Sequence, residues 1–431
     1  MTRPLISYYG DDFTGSTDVM EALASNGVET VLFLNMPDEA LVSRFSDARA
    51  FGLAGTSRSE TPEWMDVHLR AAFGWLKMLD AELCHYKVCS TFDSAPHVGN
   101  IGRAIEIGRA VFGETAVPLI IGAPQIRRYT AFGDLFAAYQ GRNYRIDRHP
   151  VMSRHPVTPM DEANLLMHLA RQTNLSSALI DMVALSGRPE PEAADILLID
   201  VLDAATQAAA GALLWNDLRQ KSRFVCGSSG VEYALIPAWQ AEGLIGEKPV
   251  FAEAGSVDRI AVVSGSVSPT TERQIRHALD DGFGGVTLDP LLLSGDSGAA
   301  AMDAAVEDGL KMLESGRSVL LYTALGPSAD RGGELDISAR HRLGRALGRI
   351  QRELVARAGL SRAVVAGGDT SSHALGEMGI AALTLKMPLP QTPGSPLCIA
   401  HGGALDGLQI ALKGGQVGGD DYFSMIRAGR A

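Results

Sequence analysis

Two adjacent carboxylates, Asp11 and Asp12, stand in YYGDDFTGSTD, directly after the apolar run LISYY and before a segment that reads as a helix start. Thr14, Ser16 and Thr17 are suitable capping residues there, and Gly27 offers a stop. A turn or a cap accounts for one such aspartate. Two side by side, partly out of water, push their pKa values apart, which suits a general base on a substrate hydroxyl or a magnesium ligand. A second cluster, KVCSTFDSAPHVGN, again follows an apolar run. Lys87, Ser90, Thr91, Asp93 and Ser94 bring together a cation, hydroxyls and a carboxylate, a set fitted to a small polyhydroxylated acid or to a polar turn entering a helix near Gly99. Arg58, Arg127, Arg128 and Arg154 each lie beside a strand end or a Gly/Pro turn, and at least one is expected to pair with a substrate carboxylate.

The C-terminal half carries a different chemistry. Three glycine/hydroxyl turns, SGSVSPTTERQ from Ser264, TALGPSADR from Thr323 and AGGDTSSHALGEMG from Ala366, each follow a β-rich run and precede a helix. In that geometry backbone N–H groups and the helix dipole meet a phosphate. The pair Gly402–Gly403 and the run LKGGQVGGDD require close backbone approach, to a ligand or to another strand. No GxxxxGK[ST] is present, and no GxGxxG opens a strand–turn–helix unit, so a Walker-type NTPase and a dinucleotide-dependent dehydrogenase are disfavoured.

The elements that must position these groups alternate. Runs such as LISYY, TVLFL, HYKVC, VPLIIG, DILLID, RFVCG, RIAVVSG, SVLLYTAL, RAVVAGG and AALTL read as strands. Helical spacing covers residues 62–79, 101–111, 204–218, 270–279 and 337–358. With few hairpin signals between them, the expected class is α/β: two domains, each a largely parallel sheet flanked by helices, with a ligand cleft between them. The boundary is placed in EGLIGEKPVFAEAGSVD, giving an N-terminal domain 1–250 and a C-terminal domain 251–431.

Bulk properties limit the partners. The formal net charge of -12 disfavours nucleic acid and anionic membrane surfaces, because either needs a basic face. No signal peptide or membrane span is read, so a cytoplasmic location is expected. Cys84, Cys89, Cys226 and Cys398 show neither CxxC spacing nor clustered histidines and read as reduced thiols.

Taken together, YGDDFTGSTDVMEAL, KVCSTFDS, HPVTPM, GSVSPTTERQI, AGGDTSSHAL and LKGGQVGG, in that order between residues 5 and 423, resemble the four-carbon acid sugar kinase family, which includes threonate, erythronate and 3-oxo-tetronate kinases. The resemblance implies an N-terminal domain that binds a sugar acid, a C-terminal domain that binds ATP with Mg²⁺, and phosphorylation of the terminal hydroxyl. It implies an acid-sugar site of Asp11, Asp12, Arg58, Lys87, Ser90, Thr91 and Asp93, where Asp12 or Asp93 is the expected base, an arginine or Lys87 is expected to hold the carboxylate, and Arg128 is expected to keep the role of the family's arginine. The nucleotide site would comprise Ser266, Gly367, Gly368, Asp369, Thr370, Gly402 and Gly403, with no metal ligand assigned. Where many tetronate kinases have an Asn-Gly-Arg-Thr turn, this chain has GAPQIRRYT, so 3-oxo-tetronate, threonate, erythronate and a branched oxo-acid sugar such as an isoapionate derivative all stay open. A homodimer is compatible with the sequence. The competing class is a non-catalytic sensor of sugar acid and nucleotide.

Overall fold

A computed structural model describes residues 3–187, 193–295, 298–330 and 335–430, apart from the side chains of residues 337, 369, 370 and 372. The chain divides into two compact units, residues 1–31 with 36–249, and residues 32–35 with 250–431.

The first unit carries strands β1 (Ile6–Gly10), β3 (Ala50–Ala54), β4 (Leu83–Lys87), β5 (Val117–Ile120), β6 (Arg128–Ala131), β7 (Asp134–Tyr139), β8 (Arg142–Arg145), β9 (Ser177–Ile180), β10 (Ile196–Ile199) and β11 (Phe224–Gly227), while the residues of β2 (Thr30–Phe33) are divided between the units after Val31. Its main sheet runs β3-β1-β4-β11-β5-β10-β9, and every neighbouring pair in that order is parallel. All carboxyl ends therefore fall on one edge, and Asp11, Arg58 and the 87–93 turn follow three adjacent strands there. Both faces are covered, which is why these strands read as unbroken apolar runs rather than alternating ones. The helix Phe13–Ala24 starts on an Asp12 cap, with Gly15 N donating to Asp12 Oδ1 at 2.5 Å. Pro62–Met78 starts on Thr61 with proline in its first turn, and Ile101–Phe112 runs from an Asn100 cap to left-handed Gly113.

The small sheet β6-β7-β8 is antiparallel and was not anticipated from the strand–helix alternation. Its turns are Phe132–Gly133 and Gln140–Gly141, with φ of 52°, 80°, 46° and 81°. Two successive positive φ values make the tight hairpin turn that matches strand twist, so a glycine in second place was the available signal. Residues 204–218 also differ from expectation: the α-helix stops at Leu213 and widens into a π-helical turn over Leu214–Leu218.

The second unit carries β12 (Ala261–Ser264), β13 (Gly284–Thr287), β14 (Val319–Tyr322), β15 (Arg362–Ala366), β16 (Ala382–Met387), β17 (Leu397–His401) and β18 (Gln409–Lys413), in the order β13-β14-β12-β15-β18-β17-β16. The first five in that order are parallel, while β17 runs antiparallel to both β18 and β16. The helix Pro269–Asp280 begins at Ser268 and Pro269, and Ile337–Ala358 begins at an Asp336 cap and ends at left-handed Gly359. One sheet face buries Ile275, Ala278, Tyr422, Phe423 and Ile426 against Ile260, Val262, Leu320 and Val364. No described helix is long and apolar enough to cross a membrane.

Behind the strands that carry the charged turns of the first unit lies an aromatic cluster. Fully buried Phe73 meets Tyr9, Tyr86 and Phe224 with ring centroids 6.0, 5.7 and 5.2 Å away. This packing fixes β1, β4 and β11 relative to Pro62–Met78. Replacing Phe73 by Ala should lower unfolding stability by about 3–5 kcal/mol, read from the urea midpoint.

Candidate active site

The acidic turn and the turn after β4 meet at Arg58. Its Nη1 lies 2.9 Å from Asp12 Oδ2, and its Nη2 lies 2.9 and 2.8 Å from the two oxygens of Asp93. Asp93 also accepts from Thr91 Oγ1 at 2.5 Å and Thr158 Oγ1 at 3.3 Å. Burial alone would raise the Asp93 pKa, but Arg58 and the Thr91 hydroxyl outweigh it, and the carboxyl is held below its ordinary value. Phe92, buried between Thr91 and Asp93, has φ of 56°, a left-handed conformation that is costly for a bulky residue.

Asp11 is in a different condition. Its backbone is pinned, N donating to Lys87 O at 2.9 Å and O accepting from Arg58 N at 3.0 Å. Its carboxylate is buried, and among the described residues Oδ1 has no hydrogen-bond partner. Burial first, then the charge of Asp12, raise the pKa of Asp11 to about 7 against the opposing pull of Arg58 and Lys87. Lys87, also buried, donates to Val88 O at 2.9 Å and lies 3.8 Å from Asp18. Burial works against its ammonium, yet Asp18 and Asp11 prevail and its pKa rises.

Ser90 is half-buried in the same turn. Arg128 stands apart from the Arg58 cluster. Its Nη1 donates to the carbonyls of Ile126 and Arg127 at 3.1 and 3.2 Å, and its Nε is buried without a partner. Among the described residues no carboxylate pairs with Arg128, and burial lowers its pKa. Its guanidinium and that of Arg58 are both close enough to Cys89 for their charges to act on the thiol.

In the second unit the turns after β12, β14, β15 and β18 line up on one edge. Thr323 N donates to Ser264 O at 3.1 Å, Gly265 N to Ala366 O at 3.1 Å and Gly367 N to Lys413 O at 2.8 Å. Ser266 Oγ lies 3.0 Å from Thr271 Oγ1, which donates to Gly415 O at 3.0 Å. Gly367, with φ of 119°, opens the helix Gly368–Glu377. The side chains of Asp369 and Thr370 lie outside the described residues. A cavity of about 320 Å³ at the ends of β13 and β14 is lined by Thr287, Leu288, Pro290, Tyr322, Thr323 and Ala324.

Gly402 and Gly403 do not join this group. Because β17 is antiparallel to β18, with Ile399 opposite Gln409, the chain beyond His401 leaves at the edge where β15 and β18 begin. At ~3.3 Å per residue that edge is roughly 16 Å from Gly367. A Cβ on Gly403 would sit 2.4 Å from Gly379 O, and one on Gly402 would sit 2.9 Å from the Ala381 Cβ. The pair serves a close approach to the chain's own backbone. Gly414 and Gly415 occupy the place expected for it: a Cβ on Gly415 would lie 3.2 Å from Ser266 Oγ. The LKGGQVGG motif contains them, as HPVTPM contains Thr158, but the sequence does not show which glycine pair ends a parallel strand.

Residues 6–235 match the model of a sugar-binding N-terminal domain, and residues 261–423 that of a nucleotide-binding C-terminal domain. A 3-oxo-isoapionate kinase of Paraburkholderia graminis is 46% identical, covering 99% of this chain and 94% of its own. The chain belongs to the four-carbon acid sugar kinase family. It is a carbohydrate-acid kinase. Two 3-oxo-tetronate kinases, from Cupriavidus necator and Methylobacterium radiotolerans, are 31% and 32% identical over 98% and 96% of this chain, and over 96% of each relative. Two solved structures share the fold: a Haemophilus influenzae protein (TM-score 0.74, 22% identity, 97% and 98% of the two chains covered) and a putative tRNA synthase from Salmonella typhimurium (0.79, 24%, 99% and 98%).

The two glycine pairs should separate experimentally. Gly403→Ala, with φ of 63° and no room for a Cβ, should cost about 1–3 kcal/mol in urea unfolding and leave nucleotide affinity intact. Gly415→Ala should weaken nucleotide binding in calorimetry with little change in unfolding.

Proposed function

We propose that the protein transfers the γ-phosphoryl group of ATP to the terminal hydroxyl of a 3-oxo acid sugar, with a branched 3-oxo-isoapionate-type acid favoured over a linear tetronate. The 46% identity to a 3-oxo-isoapionate kinase, spanning 99% of the chain, carries this reading.

In this reading Arg128, a cation without a carboxylate partner among the described residues, receives the substrate carboxylate, and Ser90 and Thr91 bond the sugar hydroxyls. Arg58 is committed to Asp12 and Asp93, so it shapes the site rather than binding the acid. Asp12 is also committed, as a helix cap and as an Arg58 partner. Asp93 accepts hydrogen bonds on both oxygens and is held acidic. Asp11 is therefore the better base, with one carboxylate oxygen unpaired and a pKa near neutrality. It takes the proton of the terminal hydroxyl as that oxygen bonds to the γ-phosphorus and the bond to the β-phosphate oxygen breaks, releasing ADP. Lys87 beside it offsets negative charge.

The turns at Ser266, Gly367–Gly368 and Gly414–Gly415 would hold the ATP phosphates through backbone N–H groups, and the cavity beside Tyr322 would take the base. Among the described residues no three His, Cys, Asp or Glu side chains cluster as a metal cage. That suits Mg²⁺, which is usually held by substrate phosphates and few protein ligands, and which would neutralise phosphate charge.

ADP release measured across a panel of four- and five-carbon sugar acids tests the reading. The highest kcat/KM is expected with 3-oxo-isoapionate, and no turnover with any acid by folded protein would overturn it. Because Asp11 must be ionised to act, kcat/KM should rise with pH and level off above about 7. Asp11→Asn should lose about 10²–10⁴-fold in kcat and lose that pH limb, while near-normal turnover would remove Asp11 from the role.

A further inference from the structure

Lys413, the last residue of β18, is completely buried, yet among the described residues no carboxylate lies within ion-pair distance. Its Nζ donates to Thr271 Oγ1 at 3.0 Å, to Gly414 O at 2.8 Å and more weakly to Gly415 O at 3.4 Å. It lies 6.0 Å from the centroid of the Tyr422 ring. Among the described residues, these hydroxyl, carbonyl and ring groups, from the helix Pro269–Asp280, the 414–415 turn and the C-terminal helix Tyr422–Ala428, face it. Burial is the cause of its depressed pKa, about 8, and among the described residues no charged neighbour contributes.

A buried cation with no counter-charge is costly, and an apolar side chain of similar length would fill the space more cheaply. What the ammonium does is local. It draws the carbonyls of Gly414 and Gly415 inward, and among the described residues the amides of Gly415 and Gln416 are left without an acceptor. It also shares Thr271 with Ser266, so its charge sits two hydrogen bonds from that turn.

We propose that Lys413 is a positioning residue for the nucleotide phosphates: it holds the Gly414–Gly415 turn with its amides outward and supplies a buried positive charge that a bound phosphate balances. The proposal rests on the nucleotide reading above. Lys413 need not touch the phosphate, since its donors are already engaged.

The test uses the full chain and ATP as the probe, with Lys413→Met as the variant. Lys413→Met should melt at the same temperature as the wild type or higher, bind the sugar acid unchanged, and bind ATP about 30-fold more weakly near neutral pH. Around pH 8.5 the free wild-type lysine is largely neutral, and the phosphate draws its proton back. ATP binding should then take up a proton, seen as heat that depends on the ionisation enthalpy of the buffer, and the variant should show none. Unchanged ATP affinity in Lys413→Met overturns the proposal. So does wild-type binding without proton uptake, which decides the matter even if the variant fails to fold. Absence of ATP binding by the wild type would instead sink the nucleotide reading itself.

Discussion

Arg58 joins two carboxylates from two different strand ends, and the first unit's site is organised around that junction. Asp12 comes from the turn after β1 and Asp93 from the turn after β4, strands that are neighbours only because the sheet is parallel and crossed over. Asp93 is almost wholly buried, and a buried carboxylate without its partner would be strongly destabilising. The arginine therefore ties the positions of both turns to one another. Among the described residues Asp11, adjacent in sequence to Asp12, keeps an unpaired oxygen while its neighbour pairs with the cation.

The second unit repeats the geometric principle with other chemistry. Its parallel strands also end on one edge, but the turns there are rich in glycine and hydroxyl residues, and among the described side chains at that edge Lys413 carries a buried charge. Carboxylates and arginines discriminate a small polar acid; amides, hydroxyls and an ammonium favour phosphate. The division of labour follows from which residues each set of strand ends presents.

Much of this was legible in the sequence. Apolar runs alternating with capped helical segments specify parallel sheets covered by helices, because a strand buried on both faces has no polar alternation to display. Residues directly after those runs lie at the ligand-bearing edge in such sheets, which is why Asp11, Asp12, Lys87, Thr91 and Asp93 could be singled out. The antiparallel strands were not legible in the same way. The two successive hairpins of 128–145 differ from parallel pairs in only a few turn residues, and the reversal of β17 leaves no mark on its composition.

What the sequence by itself determined was the alternation of elements, the caps that start the helices and the kind of chemistry each half carries, since all of these are local in the chain. Tertiary structure decided the pairings. It set Arg58 between Asp12 and Asp93, left Asp11 rather than either of them with a free oxygen, and placed Gly414–Gly415 rather than Gly402–Gly403 beside Ser266. Proton affinity and ligand contact depend on distances and on exclusion of water, and both arise from strand order and direction, which no short stretch of sequence encodes.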